Sequence, residues 1–199
     1  MEYVPRKEVK FWRNLFVVMI NNIRPYLKED GITFTFNLVG SAKRNLVIRH
    51  HNKGFDCDYQ IYIMKNKQNL SSKEIKLKFI SLIDEFKSEE FEKCEDKTRS
   101  IKLKKIDSNE SKIKFSYDIV IMRNDANGTK IIEKINDDNN RYQFVLLEDY
   151  SNHNEYYKKI KGYKMWNELR KLYYEQKIKQ KDKKSFQILH ECVMMVLKK

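Results

Sequence analysis

The chain has 199 residues, 41% of them hydrophobic and 13% aromatic, enough for one sizeable core or a core with an appendage. No apolar run approaches the ~18–20 residues of a membrane span, and three scattered cysteines, Cys57, Cys94 and Cys192, form neither a CxxC pair nor a zinc spacing. The formal net charge of +13 favours polyanionic partners such as nucleic acid or nucleotides.

That charge has a second reading. The basic residues comprise 32 Lys and 9 Arg, beside 17 Asn, 20 Ile and 2 Ala. Lys, Asn and Ile have AT-rich codons and Ala does not, so a nucleotide bias alone gives the same profile. An odd number of cysteines and a start unlike a signal peptide predict a reducing cytoplasm.

Residues 7–28 carry Val9, Trp12, Leu15, Phe16, Met19, Ile20 and Ile23 at three- and four-residue steps, which predicts an amphipathic helix. Pro25 is expected to end or kink it. After the turn EDG, residues 32–39 (ITFTFNLV) alternate apolar and polar, as in a strand. Gly40-Ser41 ends that strand, and residues 42–54 hold a short helix or a long loop.

A second strand, FDCDYQIYIMK at 55–65, puts Asp56, Asp58, Gln60 and Tyr62 on one face. Phe55, Cys57, Tyr59, Ile61 and Ile63 lie on the other. Residues 71–91 read as a helix opened by a capping box at Ser71 or Ser72 with Glu74; Ile75, Phe79, Leu82, Ile83 and Phe86 form its core face. Strands follow at 99–106 and 112–122, linked by DSNES as a hairpin. NDANGTK is a turn, and RYQFVLL at 141–147 is a further edge strand. From about Ser151 the pattern is helical, interrupted by KQKDKKS. This order predicts an α+β fold with a mixed sheet, divided as 1–150 and a helical 151–199.

Three carboxylates stand out. Asp56 and Asp58 share a strand face about 6–7 Å apart, and repel unless a cation neutralises them. Asp118, in KFSYDIVIM, lies in a run expected to be central, where a carboxylate needs a partner or a metal. Three aspartates on adjacent strands suit Mg2+ or Mn2+, and such ions clamp an in-line phosphoryl displacement. Gly40 lets the backbone approach a phosphate, Ser41 offers donors, and Lys43, Arg44 and Arg49 follow. Each piece alone is a weak signal: an Asp-x-Asp is more often a solvated strand face.

Together and in order, Gly40-Ser41, Asp56-Cys57-Asp58 and Asp118 resemble the DNA polymerase β-like nucleotidyltransferase superfamily. Within it the chain looks most like the Mab-21/cyclic GMP-AMP synthase-like and oligoadenylate synthase-like branch. The fourteen residues between Ser41 and Asp56, the capped helix after the Asp-x-Asp strand, and the third aspartate in SYDIVI after a hairpin carry that likeness. It covers about residues 9–122. Two departures stand against it: Ala42-Lys43 replaces the Gly-Thr that often follows Gly-Ser, and the chain is short, so the C-terminal helical part is reduced.

The resemblance implies a nucleotidyltransferase fold and transfer of a nucleoside monophosphate from a nucleoside triphosphate, ATP or GTP, to a hydroxyl. Asp56, Asp58 and Asp118 would be catalytic and metal-holding, with Mg2+ or Mn2+. Gly40, Ser41, Lys43 and Lys164 would bind the nucleotide. A second nucleotide, an RNA end, or a protein or small-molecule hydroxyl would accept, and no membrane partner is expected. Lys161 and Lys164 otherwise make a solvated helix face. Tyr163 or Trp166 stacks a base or, for Trp166, packs with Leu169, Leu172 and Tyr173. His50-His51 is ordinary loop surface, and Cys57 packs without a redox role. The alternative function is a basic nucleic-acid-binding or antitoxin-like module on a degenerate form of the same fold.

Overall fold

The computed structural model describes residues 1–49, 54–107, 112–135, 140–147, 153–180, 183 and 185–198. It divides into two compact units, Glu2–Leu147 and a second made of Met1 with Glu148–Lys199.

The first unit begins with a short strand, β1 (Glu2–Tyr3), and a long helix, α1 (Arg6–Glu29). Val9, Trp12, Phe16, Met19, Ile20, Ile23 and Leu27 are its buried face. The helix runs on through Pro25 for another turn, against the expected break. Proline removes the bond to the carbonyl four residues back. That carbonyl belongs to Asn21, which is exposed, as is Pro25, while Leu27 beyond them is fully buried and holds the last turn in place.

The chain continues through β2 (Ile32–Leu38), the short α2 (Gly40–Arg44), β3 (Ile48–Arg49) and β4 (Phe55–Asn66). α3 (Ser72–Phe86) follows, with the capping box on Ser71 and Glu74. It stops at Phe86, five residues before the expected end, where Lys87 turns extended. Then come β5 (Glu95–Asp96), β6 (Ile101–Asp107), β7 (Lys112–Asp125), β8 (Gly128–Lys134) and β9 (Tyr142–Leu146). β1, β3 and β5 are two residues each, too short for a periodic signal, and β8 was hidden behind the turn residues that open it.

β1 and β3 pair with each other. The main sheet runs β2-β4-β7-β6-β5, with β8 on the far end of β7 and β9 beside β8. β4 and β7 are parallel at its centre and the other pairings are antiparallel. The mixed sheet predicted from the element order is the one observed.

Both α1 and α3 feed one hydrophobic core with the inward residues of the central strands. Trp12 stacks on Phe115 at 4.3 Å and Phe16 on Tyr59 at 3.5 Å. The Tyr117 hydroxyl donates to the Trp12 carbonyl oxygen at 2.6 Å, which satisfies a buried phenol. Phe55, Cys57, Tyr59 and Ile61 are thereby committed to the helix-covered face. Strand alternation then sends Asp56 and Asp58 to the other side.

The second unit contains α4 (His153–Gly162), α5 (Trp166–Lys179) and α6 (Ser185–Leu197). Ile160, Leu169, Tyr173, Ile188, Cys192, Val193 and Val196 are buried in it. The helical run at 156–179 is broken at Lys164, whose φ of +57° lies in the left-handed region.

Candidate active site

β4 and β7 are in parallel register with Asp58 opposite Asp118 and Asp56 opposite Ser116. Asp56 and Asp58, two residues apart, share the outer face of β4, and Asp118 meets them from the next strand. One carboxylate oxygen from each lies within 4.8 Å of the others. Asp56 is exposed and the other two are half-buried.

Concentrating three anions has an electrostatic cost. Burial, then Asp56 and Asp118, push the Asp58 carboxyl up to about 7 against a lowering by Lys102. Cys57, turned the other way into the core, is pushed up to about 12, chiefly by burial and then by Asp58 and Asp56. It stays a packed thiol, far from the reactive thiolate range.

Gly40 adjoins this cluster. Its φ is +64°, and a Cβ built there would come 2.2 Å from Asp58 Oδ2. A side chain at position 40 would therefore displace a site carboxylate, on top of the cost of a left-handed backbone. The Val39 amide donates to the Asp58 carbonyl oxygen at 2.8 Å, locking the end of β2 to β4. Gly54, at the start of the Asp-x-Asp strand, is squeezed in the same way. A Cβ there would fall 2.3 Å from the Lys114 carbonyl oxygen of β7.

Among the nucleotide-binding candidates, Ser41 is half-buried and Lys43 exposed, both on α2 directly after Gly40. Arg44 donates to the Gly40 carbonyl oxygen at 2.9 Å and so braces the turn. Arg49 is engaged elsewhere, 2.5 Å from Glu8 and over the Phe55 ring. Lys161 lies over the Trp166 ring at 5.5 Å, and Tyr163 and Lys164 are exposed; all four belong to the second unit. Gln60 accepts from the Tyr62 hydroxyl at 3.2 Å, on the same strand face as the aspartates. His50 and His51 lie outside the described residues.

Two residues of the site were not anticipated. Lys102 of β6 is in register with Asp118, and its ammonium is 3.1 Å from Asp118 Oδ2. Ser116 is buried between Asp56 on one side and Lys104 on the other. The alternation of IKLKKI assigns Lys102 to a polar face of its strand, but not to a neighbour. That depended on the β6–β7 register, which also contains an irregularity at Lys105/Ile106.

The donor set fits a hard divalent cation: carboxylate oxygens only, converging, and mutually repulsive without positive charge. Lys102 already stands against Asp118 as a cation of the protein's own.

No protein-family model and no curated protein matches the chain. Solved structures do. The di-nucleotide cyclase DncV of Vibrio cholerae, in complex with GTP and 5MTHFGLU2, matches with a TM-score of 0.60 at 12% identity, over 83% of this chain and 48% of that one. The DncV cyclic AMP-GMP synthase with nonhydrolyzable GTP gives 0.54 at 14% identity, over 74% and 39%. The CD-NTase CdnG of Bradyrhizobium diazoefficiens, in complex with GTP, gives 0.53 at 17% identity, over 78% and 43%. The chain thus spans less than half the length of these proteins. Its fold is the nucleotidyltransferase fold that they share.

Proposed function

We propose that the chain is a metal-dependent nucleotidyltransferase. It would move a nucleoside monophosphate from a nucleoside triphosphate, ATP or GTP, to a hydroxyl. The hydroxyl oxygen bonds to the α-phosphorus, the bond from that phosphorus to the β-phosphate oxygen breaks, and pyrophosphate leaves. Asp56 and Asp58 would hold Mg2+ or Mn2+ toward the triphosphate. Asp118 would join them at the ion on the acceptor side and receive the hydroxyl proton. A divalent cation so held supplies Lewis acidity at the phosphoryl group and lowers the pKa of the attacking oxygen. Gly40 and Ser41 would bring the α2 turn against the β- and γ-phosphates, Lys43 would reach them from the same turn, and Lys164 is the candidate from the second unit.

The observation that carries this reading is the convergence of three carboxylates on the exposed side of the two central strands, with Gly40 fitted against one of them. A protein that only binds polyanions gains nothing from such a cluster, which would repel the ligand. The nucleotide-bound neighbours with this fold support a triphosphate donor. The acceptor would be a second nucleotide, an RNA end or another hydroxyl, on a protein or a small molecule. Three free cysteines suit a reducing cytoplasm, and among the described residues no helix is long and apolar enough to cross a membrane.

The test is turnover with each of the four α-labelled nucleoside triphosphates, Mg2+ or Mn2+, and total RNA, beside the double variant Asp56→Asn/Asp58→Asn. Labelled product or pyrophosphate from the unaltered chain alone is the expected result. No turnover, with nucleic-acid binding that falls steeply with salt and ignores divalent metal, would instead favour the basic binding module.

A further inference from the structure

Strand β6 carries three lysines at 102, 104 and 105. Lys105, on the opposite face, pairs with Glu90, and Lys104 pairs with Glu95. Both are braces between neighbouring segments. Lys102 differs, because its carboxylate partner is Asp118 of the candidate metal cluster. The β6–β7 register sets Lys102 directly across from Asp118, with Asp58 across on the other side.

We propose that Lys102 is the resident counter-ion of Asp118 and competes with the divalent cation for that carboxylate. The inference rests on the metal-dependent reading of the same site. An ammonium held against a carboxylate weakens that group's attraction for a metal ion, even where the ion takes the other oxygen. Like charges a few ångströms apart repel strongly in a half-buried setting. Loading Asp118 therefore favours a withdrawn Lys102, and the flexible four-carbon stem of the lysine allows this. A triphosphate entering the site gives the released ammonium a new anionic partner. Free metal offers it none. Metal binding at Asp118 is consequently weak in the empty protein and is strengthened by the polyanionic substrate. Lys102 acts through Asp118, as a positioning residue.

Mn2+ binding to the full chain, followed by the loss of the free-ion electron paramagnetic resonance signal at low ionic strength, tests this without turnover. Lys102→Gln and Lys102→Met are each expected to bind Mn2+ about tenfold more tightly than the unaltered chain when nucleotide is absent. Lys102→Arg, which keeps the charge, is expected to behave like the unaltered chain. The gain from Lys102→Gln should vanish in an Asp118→Asn background. It should also shrink when a non-hydrolysable triphosphate analogue is present. Thermal melts on each variant confirm that folded protein is compared, and the milder Lys102→Gln serves if Lys102→Met does not fold.

Equal or weaker Mn2+ binding by Lys102→Gln without nucleotide overturns the proposal. If Asp56→Asn/Asp58→Asn meanwhile loses Mn2+, the metal site stands and only the role of Lys102 is lost. If neither the unaltered chain nor Lys102→Gln binds Mn2+, both readings fall together.

Discussion

Asp58 sits where burial and two other carboxylates act on a single group, and its carboxyl is pushed up to about 7. An unfolded chain would titrate it near 3.8. Between those two values the folded state holds more protons than the unfolded state, so stability falls as pH rises. Asp58→Asn removes that slope. In metal-free protein, the variant is therefore expected to melt above the unaltered chain at pH 8, above that window, and to lose nearly all of that advantage at pH 4, at its lower edge. Saturating Mn2+ should cancel the advantage at the higher pH, because the ion stabilises the ionised carboxylates of the unaltered chain. Calorimetry with and without chelator measures both. A variant that melts below the unaltered chain at every pH would show that Asp58 is a structural anion rather than a strained ligand.

At the level of packed elements, α3 is anchored by a charge that sequence patterning assigned to no face. Lys76 is 1% exposed, on the helix face that also buries Ile75, Phe79 and Ile83. Its ammonium lies 2.8 Å from Asp96 of β5 and donates to the Lys97 carbonyl oxygen at 2.5 Å. Burial lowers the Lys76 pKa, although Asp96 opposes this. Asp96 also pairs with Lys134 of β8 and accepts from the Tyr142 hydroxyl of β9. Burial alone would raise the Asp96 carboxyl, but the bonds from Lys76, Tyr142 and Lys134 outweigh it and hold the group below the usual carboxylate range. One carboxylate thus ties α3, β8 and β9 to an edge strand of two residues. Asp96→Asn would leave the Lys76 charge buried and unpaired, at a cost of about 3–5 kcal/mol. The stabilisation from Asp96 is present above its ordinary value of 3.8 and is lost as pH falls through the lowered folded value. Urea unfolding should therefore separate variant from unaltered chain widely at pH 7, and the gap should narrow in acid. A gap that stays constant with pH would contradict this account.

For the molecule as a whole, the hydrophobic cluster that supports the candidate site runs from Val4 to Phe144, inside the first unit. The carboxylate cluster, Gly40 and Lys102 belong to that unit as well. Residues 2–147 alone are therefore expected to melt cooperatively and to bind Mn2+ as the full chain does, read by circular dichroism and by the Mn2+ resonance signal. A fragment with helical signal but no cooperative transition would mean that the C-terminal helices complete the core. A fragment that keeps Mn2+ but loses triphosphate affinity would assign a phosphate contact to the second unit, where Lys164 lies.

Asp56 and Asp58 share a face because strand side chains alternate, and that much follows from local order alone. So do the buried stripe of α1, a capping box with Glu74 on Ser71 or Ser72, and the reading of Gly40-Ser41 as a strand end. These are short-range consequences of backbone geometry, with periods of two and 3.6 residues. Local order could not say that α1 would run past Pro25, since the last turn is held by tertiary packing, Leu27 in the core and Tyr26 against Phe86. Nor could it find β5, whose two residues exist as a strand through pairing with β6. The meeting of Asp118 with Asp58 on one side and Lys102 on the other was decided by register between strands far apart in the chain. Register is chosen when whole faces are buried against α1 and α3, and a one-residue slip would turn every one of these groups to the opposite side. The types of residue needed for the chemistry are local in the chain, and their distances from one another come from the packing of the core.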